Sequence, residues 1–156
     1  MKRLLAAAIF VFGANLAHAD FGLNKQQQAQ YDAMMNAIDH DDLAAVQRLI
    51  QQKVPLDLQQ DTRSAPTFLS EAASAGRDRI LDALLAAGAK IESCDGDGKT
   101  PLLNAVQGRH PSTVALLIKR GADVNAEAVD GDTALTLAKE AKQRAIEQLL
   151  VQAGAK

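Results

Sequence analysis

The chain has 156 residues, with 17 lysines and arginines against 19 aspartates and glutamates for a formal charge of −2, and its aromatic residues are four Phe and one Tyr. A mildly acidic chain with no basic patch interleaved with aromatics is a poor match for nucleic acid. Its length suits one domain with its own core, and a single cysteine, Cys94, excludes an internal disulfide.

The first element is a leader. Met1-Lys2-Arg3 is a short positive start, Leu4 to Ala17 is an apolar run, and Ala17-His18-Ala19 places small residues where a secretory signal peptide is cut. The run covers 14 residues and contains Asn15, short of the roughly 20 that span a bilayer. Cleavage of residues 1–19 is therefore expected, with Asp20 as the mature start and no stable membrane insertion. Loss of Lys2 and Arg3 takes the formal charge from −2 to −4. The brief leader, the lack of a disulfide framework and the absence of an Asn-X-Ser/Thr site point to a bacterial periplasm.

The mature part, 20–156, reads as one domain of about four similar units, 30–60, 61–96, 97–129 and 130–156. The first follows the polar stretch Asn24 to Gln30 and carries Ala37-Ile38, Asp41-Asp42-Leu43, Val46 and Leu49-Ile50. It is the most degenerate and fits an end cap with a polar outer face. Asp39-His40-Asp41-Asp42 offers metal-ligating groups, but its place in the pattern is the connection between two helices, where acids favour a helix start. The second unit reads Thr67-Phe68-Leu69, Ala72-Ala73, Gly76, Ile80-Leu81, Leu84-Leu85 and Gly88-Ala89. The third reads Thr100-Pro101-Leu102, Ala105, Thr113-Val114, Leu116-Leu117-Ile118 and Gly121 to Ala126. The fourth reads Thr133-Ala134-Leu135, Ala138, Ile146, Leu149-Leu150 and Gly154-Ala155, with the polar residues Lys139 to Gln148 of a closing cap.

Thr67, Thr100 and Thr133 are 33 residues apart, and Gly88, Gly121 and Gly154 keep the same interval. Two residue types on one period mean one supersecondary unit stacked repeatedly. Each threonine caps a first helix, and Pro101 fits a first turn, where its missing N–H is not needed. The small alanines allow close helix approach, the leucine pairs form the stripe of a second helix, and the glycine ends it. Asp97-Gly98 and Asp130-Gly131 then turn a hairpin-like loop.

This pattern of Thr-Pro-Leu, paired alanines, paired leucines and Gly-Ala-Asp-Val-Asn-Ala, carried by Thr100 to Leu102 and Gly121 to Ala126, resembles the ankyrin repeat. The resemblance covers most of the mature chain and implies an all-α solenoid of stacked helix-turn-helix units joined by hairpin-like loops. Two departures stand out. The histidine that usually follows Thr-Pro-Leu is replaced by Ser70, Leu103 and Thr136, which removes a tie between neighbouring loops and implies modest stability. The loop from Gln59 to Pro66 is longer than its counterparts.

Three local motifs suggest chemistry and fail on spacing. Asp95-Gly96-Asp97-Gly98 opens like a calcium loop, but Thr100 stands at its glycine and Val106 at its bidentate glutamate. Gly98-Lys99-Thr100 ends like a phosphate loop, but Ser93 stands at the required glycine and no strand precedes it. Cys94 and His110 lack an orienting third group, and Asp95 disfavours a thiolate. No metal or cofactor is expected.

What remains is a surface of loop tips and exposed first-helix positions, with Arg63, Glu71, Asp95, Asp97, Lys99, Asn104, Glu127, Val129 and Asp132 as candidates. Its acidic balance suits another protein with a basic patch. The expected function is a noncatalytic periplasmic interaction module acting as a monomer. Exported bacterial ankyrin proteins that it resembles imply peroxide defence linked to catalase, or, as the alternative, neutralisation of a toxin delivered into the periplasm. An enzyme subunit is the competing class, although the histidines left after cleavage, His40 and His110, lie two units apart. Self-association through an exposed end of the stack is a further alternative to the monomer.

Overall fold

The computed structural model describes residues 23–60 and 65–156. They form eight helices and no strand: α1 (Lys25–Asp39), α2 (Leu43–Gln51), α3 (Phe68–Ser74), α4 (Asp78–Ala86), α5 (Pro101–Gln107), α6 (Pro111–Lys119), α7 (Ala134–Glu140) and α8 (Arg144–Gln152). The leader residues and Arg63 lie outside the described residues.

Helix starts follow the capping chemistry. Thr67, Thr100 and Thr133 hold extended backbone, and their hydroxyls accept from the N–H groups of Ser70, Leu103 and Thr136. Ser70 and Thr136, where the resemblance places histidine, return a side-chain bond to the cap N–H at 2.8 Å each and close a capping box. Leu103 instead enters the core. Asp42 caps α2 by accepting from Ala45 N–H at 2.9 Å, so the acidic run before it belongs to a helix connection.

The odd-numbered helices stack as one layer, α1 on α3 on α5 on α7, and the even-numbered ones as a second layer, α2 on α4 on α6 on α8. Between them runs one continuous core: Met34, Ile38 and Val46, then Phe68, Ile80, Leu81 and Leu84, then Leu102, Val106, Val114 and Leu117, then Leu135, Ile146 and Leu150. Ala72, Ala73, Ala105 and Ala138 are fully buried in the odd layer, where their size lets adjacent helices pack closely. At the entry to the second unit Tyr31 packs on Phe68 and donates its hydroxyl to Pro66 O at 3.0 Å.

The left-handed residues give the register. After the first helix of each pair comes Asp41, Gly76, Arg109 or Lys142, at intervals of 35, 33 and 33 residues. After the second comes Lys53, Gly88, Gly121 or Gly154, at the same intervals. The first junction therefore holds two extra residues, within the stretch between Lys53 and Thr67.

Neighbouring units are tied by polar contacts. Asp123 N–H donates to Glu92 Oε1 at 2.8 Å, and 33 residues on, Lys156 N–H donates to Asn125 Oδ1 at 3.0 Å. The residues opening α4, α6 and α8 do not cap their own helices with their side chains; they reach back one unit. Arg77 Nη2 donates to Asp39 O and Gln143 Nε2 to Val106 O, both at 3.0 Å. The His110 ring fills the space that a side chain at Gly76 would need. In the even layer Thr113 donates to Asp78 at 2.5 Å and Arg120 pairs with Asp82.

Candidate partner-binding surface

The loop between α4 and α5 turns at Gly98, where the backbone takes a positive φ of 74°. Asp95 N–H donates to Lys99 O and Gly98 N–H to Asp95 O, both at 3.0 Å. The Asp95 carboxylate braces this turn from inside. Its Oδ1 accepts from Asp97 N–H at 3.0 Å and Lys99 N–H at 2.9 Å, while Oδ2 accepts from the Asn104 amide at 2.9 Å. The Asn104 amide also donates to Thr100 O at 3.3 Å. Lys99 Nζ reaches Gln107 Oε1 at 3.3 Å, and Asp97 stands exposed at the tip. Gly96 N–H donates to Ala65 O at 3.1 Å and ties this hairpin to the preceding loop.

The loop between α6 and α7 has the same backbone with different side chains. Ala128 N–H donates to Asp132 O and Gly131 N–H to Ala128 O, both at 2.9 Å, and Glu127 pairs with Thr133 as an antiparallel bridge. Buried Ala128 occupies the place of Asp95, so the turn is held by main chain and by Asp130 Oδ1, which accepts from Asp132 N–H at 3.3 Å. Val129 is 88 % exposed. It leans on the preceding hairpin, since a β-carbon built on Gly98 would run into its Cγ2.

On the helix side, Glu71 is half-buried on α3. Burial pushes its carboxyl above the ordinary value of 4.5, and Asp39 at the end of α1 pushes it further. The Tyr31 phenol is raised by burial, then by Glu71 and Asp32, which places these groups in one neighbourhood. The structure thus brings Asp95, Asp97, Lys99, Asn104, Glu127, Val129 and Asp132 to two touching hairpins and their adjoining helix, with Glu71 one unit earlier. Two acids of the same surface escaped the sequence reading. Asp130 is the repeat counterpart of Asp97, a signal the period itself carries, while Asp39 emerges only from the packing of α1 on α3.

The remaining reactive groups are occupied structurally. Cys94 is exposed, its Sγ lies 3.6 Å from Glu92 O, and burial, Asp95 and Glu92 all raise its thiol. His40 ends α1 with Nδ1 2.9 Å from Asn36 O, and His110 packs on Gly76. Among the described residues no group of three His, Cys, Asp or Glu is arranged to hold a metal ion, and no helix is long and apolar enough to cross a membrane.

Residues 69–156 match the family described as ankyrin repeats (3 copies). The chain is 33 % identical over 129 residues to the ankyrin repeat and KH domain-containing protein mask-1 of Caenorhabditis elegans, across 80 % of this chain and 5 % of that protein. It is 34 % identical over 96 residues to a putative ankyrin repeat-containing protein of Treponema pallidum, across 61 % of this chain and 32 % of that one. The human ankyrin repeat and KH domain-containing protein 1 is 36 % identical over 91 residues, 57 % of this chain and 4 % of its own length. The chain therefore spans a small part of the relatives it matches. Ankyrin repeats are generally noncatalytic modules for binding other proteins, and on its stacked helix pairs, threonine caps and matching sequence this chain belongs to the ankyrin-repeat family.

Proposed function

We propose that this chain is a noncatalytic periplasmic module that binds a protein partner carrying a basic patch, using the hairpin tips and the odd-helix face. The observation that carries this reading is the outward acidity of a rigid tip: Glu127 and Asp130 are exposed on a hairpin held by main-chain bonds, with Val129 standing between them. A preorganised tip loses little freedom on binding, and its charge speeds and orients encounter with a cationic surface. The apolar run ending at Ala17-His18-Ala19 supports export. Peroxide defence linked to catalase is the favoured setting, and neutralisation of a toxin delivered into the periplasm is the alternative.

The test is expression of the complete sequence with a C-terminal tag, fractionation of the cells, and affinity capture of bound proteins by wild type and by a Glu127→Lys/Asp130→Lys/Asp132→Lys variant. Recovery of a processed chain in the periplasm, with one partner held by wild type and lost from the variant, is expected. A partner held equally by both removes the tips from the interface, and a chain retained in the cytoplasm overturns the location. A recovered catalase or toxin separates the two settings.

A further inference from the structure

The outer helices form a second surface of opposite character. Between α2, α4 and α6 lies an open groove of about 590 Å³ with Leu43, Ala83, Ala86 and Leu116 along its apolar part. Its acids are engaged within the fold, Asp78 by Thr113 and Asp82 by Arg120. Among the described residues, Arg79 and Lys119, exposed on the same groove, have neither a salt bridge nor a hydrogen bond to an acid. This is a small apolar floor rimmed by two uncommitted cations.

The third hairpin is the complement of that groove. Val129, at 88 % exposure, is the more exposed of the two large apolar side chains on the described surface. Glu127 and Asp130 beside it are exposed, and the backbone beneath is fixed by the Ala128, Gly131 and Asp132 N–H bonds. We propose that this tip docks into the α2/α4/α6 groove of a second copy of the chain, with Val129 against Leu116 and the alanines, and the tip carboxylates facing Arg79 and Lys119. A central contact shielded from water by its neighbours carries most of the energy of a small interface, which makes Val129 the position to remove first. The tip and the groove are separate patches, so a head-to-tail contact leaves one tip and one groove open on every pair, whereas a reciprocal contact closes at a dimer. Its charges are exposed, so added salt weakens it.

Sedimentation velocity on the full chain purified from its host tests the contact. Wild type is expected to gain average mass with concentration at low ionic strength and to return to monomer in high salt. Val129→Glu removes the tip and Arg79→Glu/Lys119→Glu reverses the groove; each is expected to weaken association at least about tenfold. The decisive sample is their mixture. Val129→Glu keeps a native groove and the double variant keeps a native tip, so together they form a one-to-one pair that grows no further. A wild type that stays monomeric at every concentration overturns the proposal. So does a mixture that stays monomeric while both variants melt as wild type does, or an association that neither variant changes.

Discussion

The second and third hairpins share a backbone and a place in the repeat, yet they use their carboxylates in opposite directions. In the second, Asp95 turns inward onto two main-chain N–H groups and the Asn104 amide. In the third, buried Ala128 and half-buried Leu137 stand at the same two places, and the acidity of the tip faces outward. The difference teaches that net charge on a repeat surface is a poor guide to binding until each carboxylate's hydrogen bonds are known. Asp95 holds its own hairpin from inside, while the exposed Glu127 and Asp130 of the similar hairpin present their charge outward.

The largest effect expected is at that brace. Asp95→Ala strips the acceptor from three donors and should lower stability by about 2–3 kcal/mol, because bonds to a charged group are the stronger class and two of the orphaned donors, Lys99 N–H and the Asn104 amide, are half-buried. Asp130→Ala in the third hairpin should stay within about 0.5 kcal/mol. Chemical denaturation of both variants measures the contrast, and equal losses would erase the distinction between the hairpins. The comparison also predicts its own repair. Asp95→Ala/Asn104→Leu recreates the Ala128 and Leu137 pair, removes both ends of the bond, and should be more stable than Asp95→Ala alone.

A smaller effect separates the two turn glycines. Gly98 and Gly131 have positive φ values of 74° and 85°, so alanine at either is strained by about 1 kcal/mol. At Gly98 the new β-carbon also meets Val129, whereas nothing lies within 4 Å at Gly131. Gly98→Ala should therefore lose more, about 1–2 kcal/mol in all, and should displace Val129. Removal of the Val129 side chain in a Gly98→Ala/Val129→Gly double variant isolates the contact term. If the two alanine variants melt together in a wild-type background, the hairpins do not bear on each other as described.

The fold was legible because its signals are local and repeated. Thr67, Thr100 and Thr133 cap helices in the sequence they precede, the leucine pairs mark a buried stripe, and the Asp-Gly pairs turn a hairpin, each from chemistry within a few residues. The roles of the surface residues were less legible, since they depend on which side chain reaches which atom across a turn or between units. Asp95 with Asn104, and Glu92 with Asp123 N–H, are contacts between elements. Even so, the chain holds a trace of the first in its own repeats: the acid and the amide are replaced together, by Ala128 and Leu137. The column of Arg77, His110 and Gln143 leaves no such trace, because three unlike side chains perform the same backward reach by different means.

Glu71 extends the comparison to a third unit, since it stands on α3 where Asn104 stands on α5 and Leu137 on α7. There, among the described residues, the polar group has neither an inward partner like Asn104 nor the apolar burial of leucine, and its carboxyl is raised by burial first and by Asp39 second. A carboxyl whose folded value lies above its ordinary 4.5 favours the folded state only while protonated. That contribution is present below the ordinary value and is lost as pH rises through the folded one. Glu71→Gln should therefore melt at a higher temperature than wild type at neutral pH, and the gap should close as pH falls below the ordinary carboxyl value. Thermal melts of both proteins across that range read it directly. A variant less stable than wild type at neutral pH would show that the ionised group makes a favourable contact. A cationic side chain docked beside Glu71 and Asp39 would lower the carboxyl again, so at a pH where the raised carboxyl is still partly protonated a partner at this end of the surface should release protons on binding, and Glu71→Gln should reduce that release.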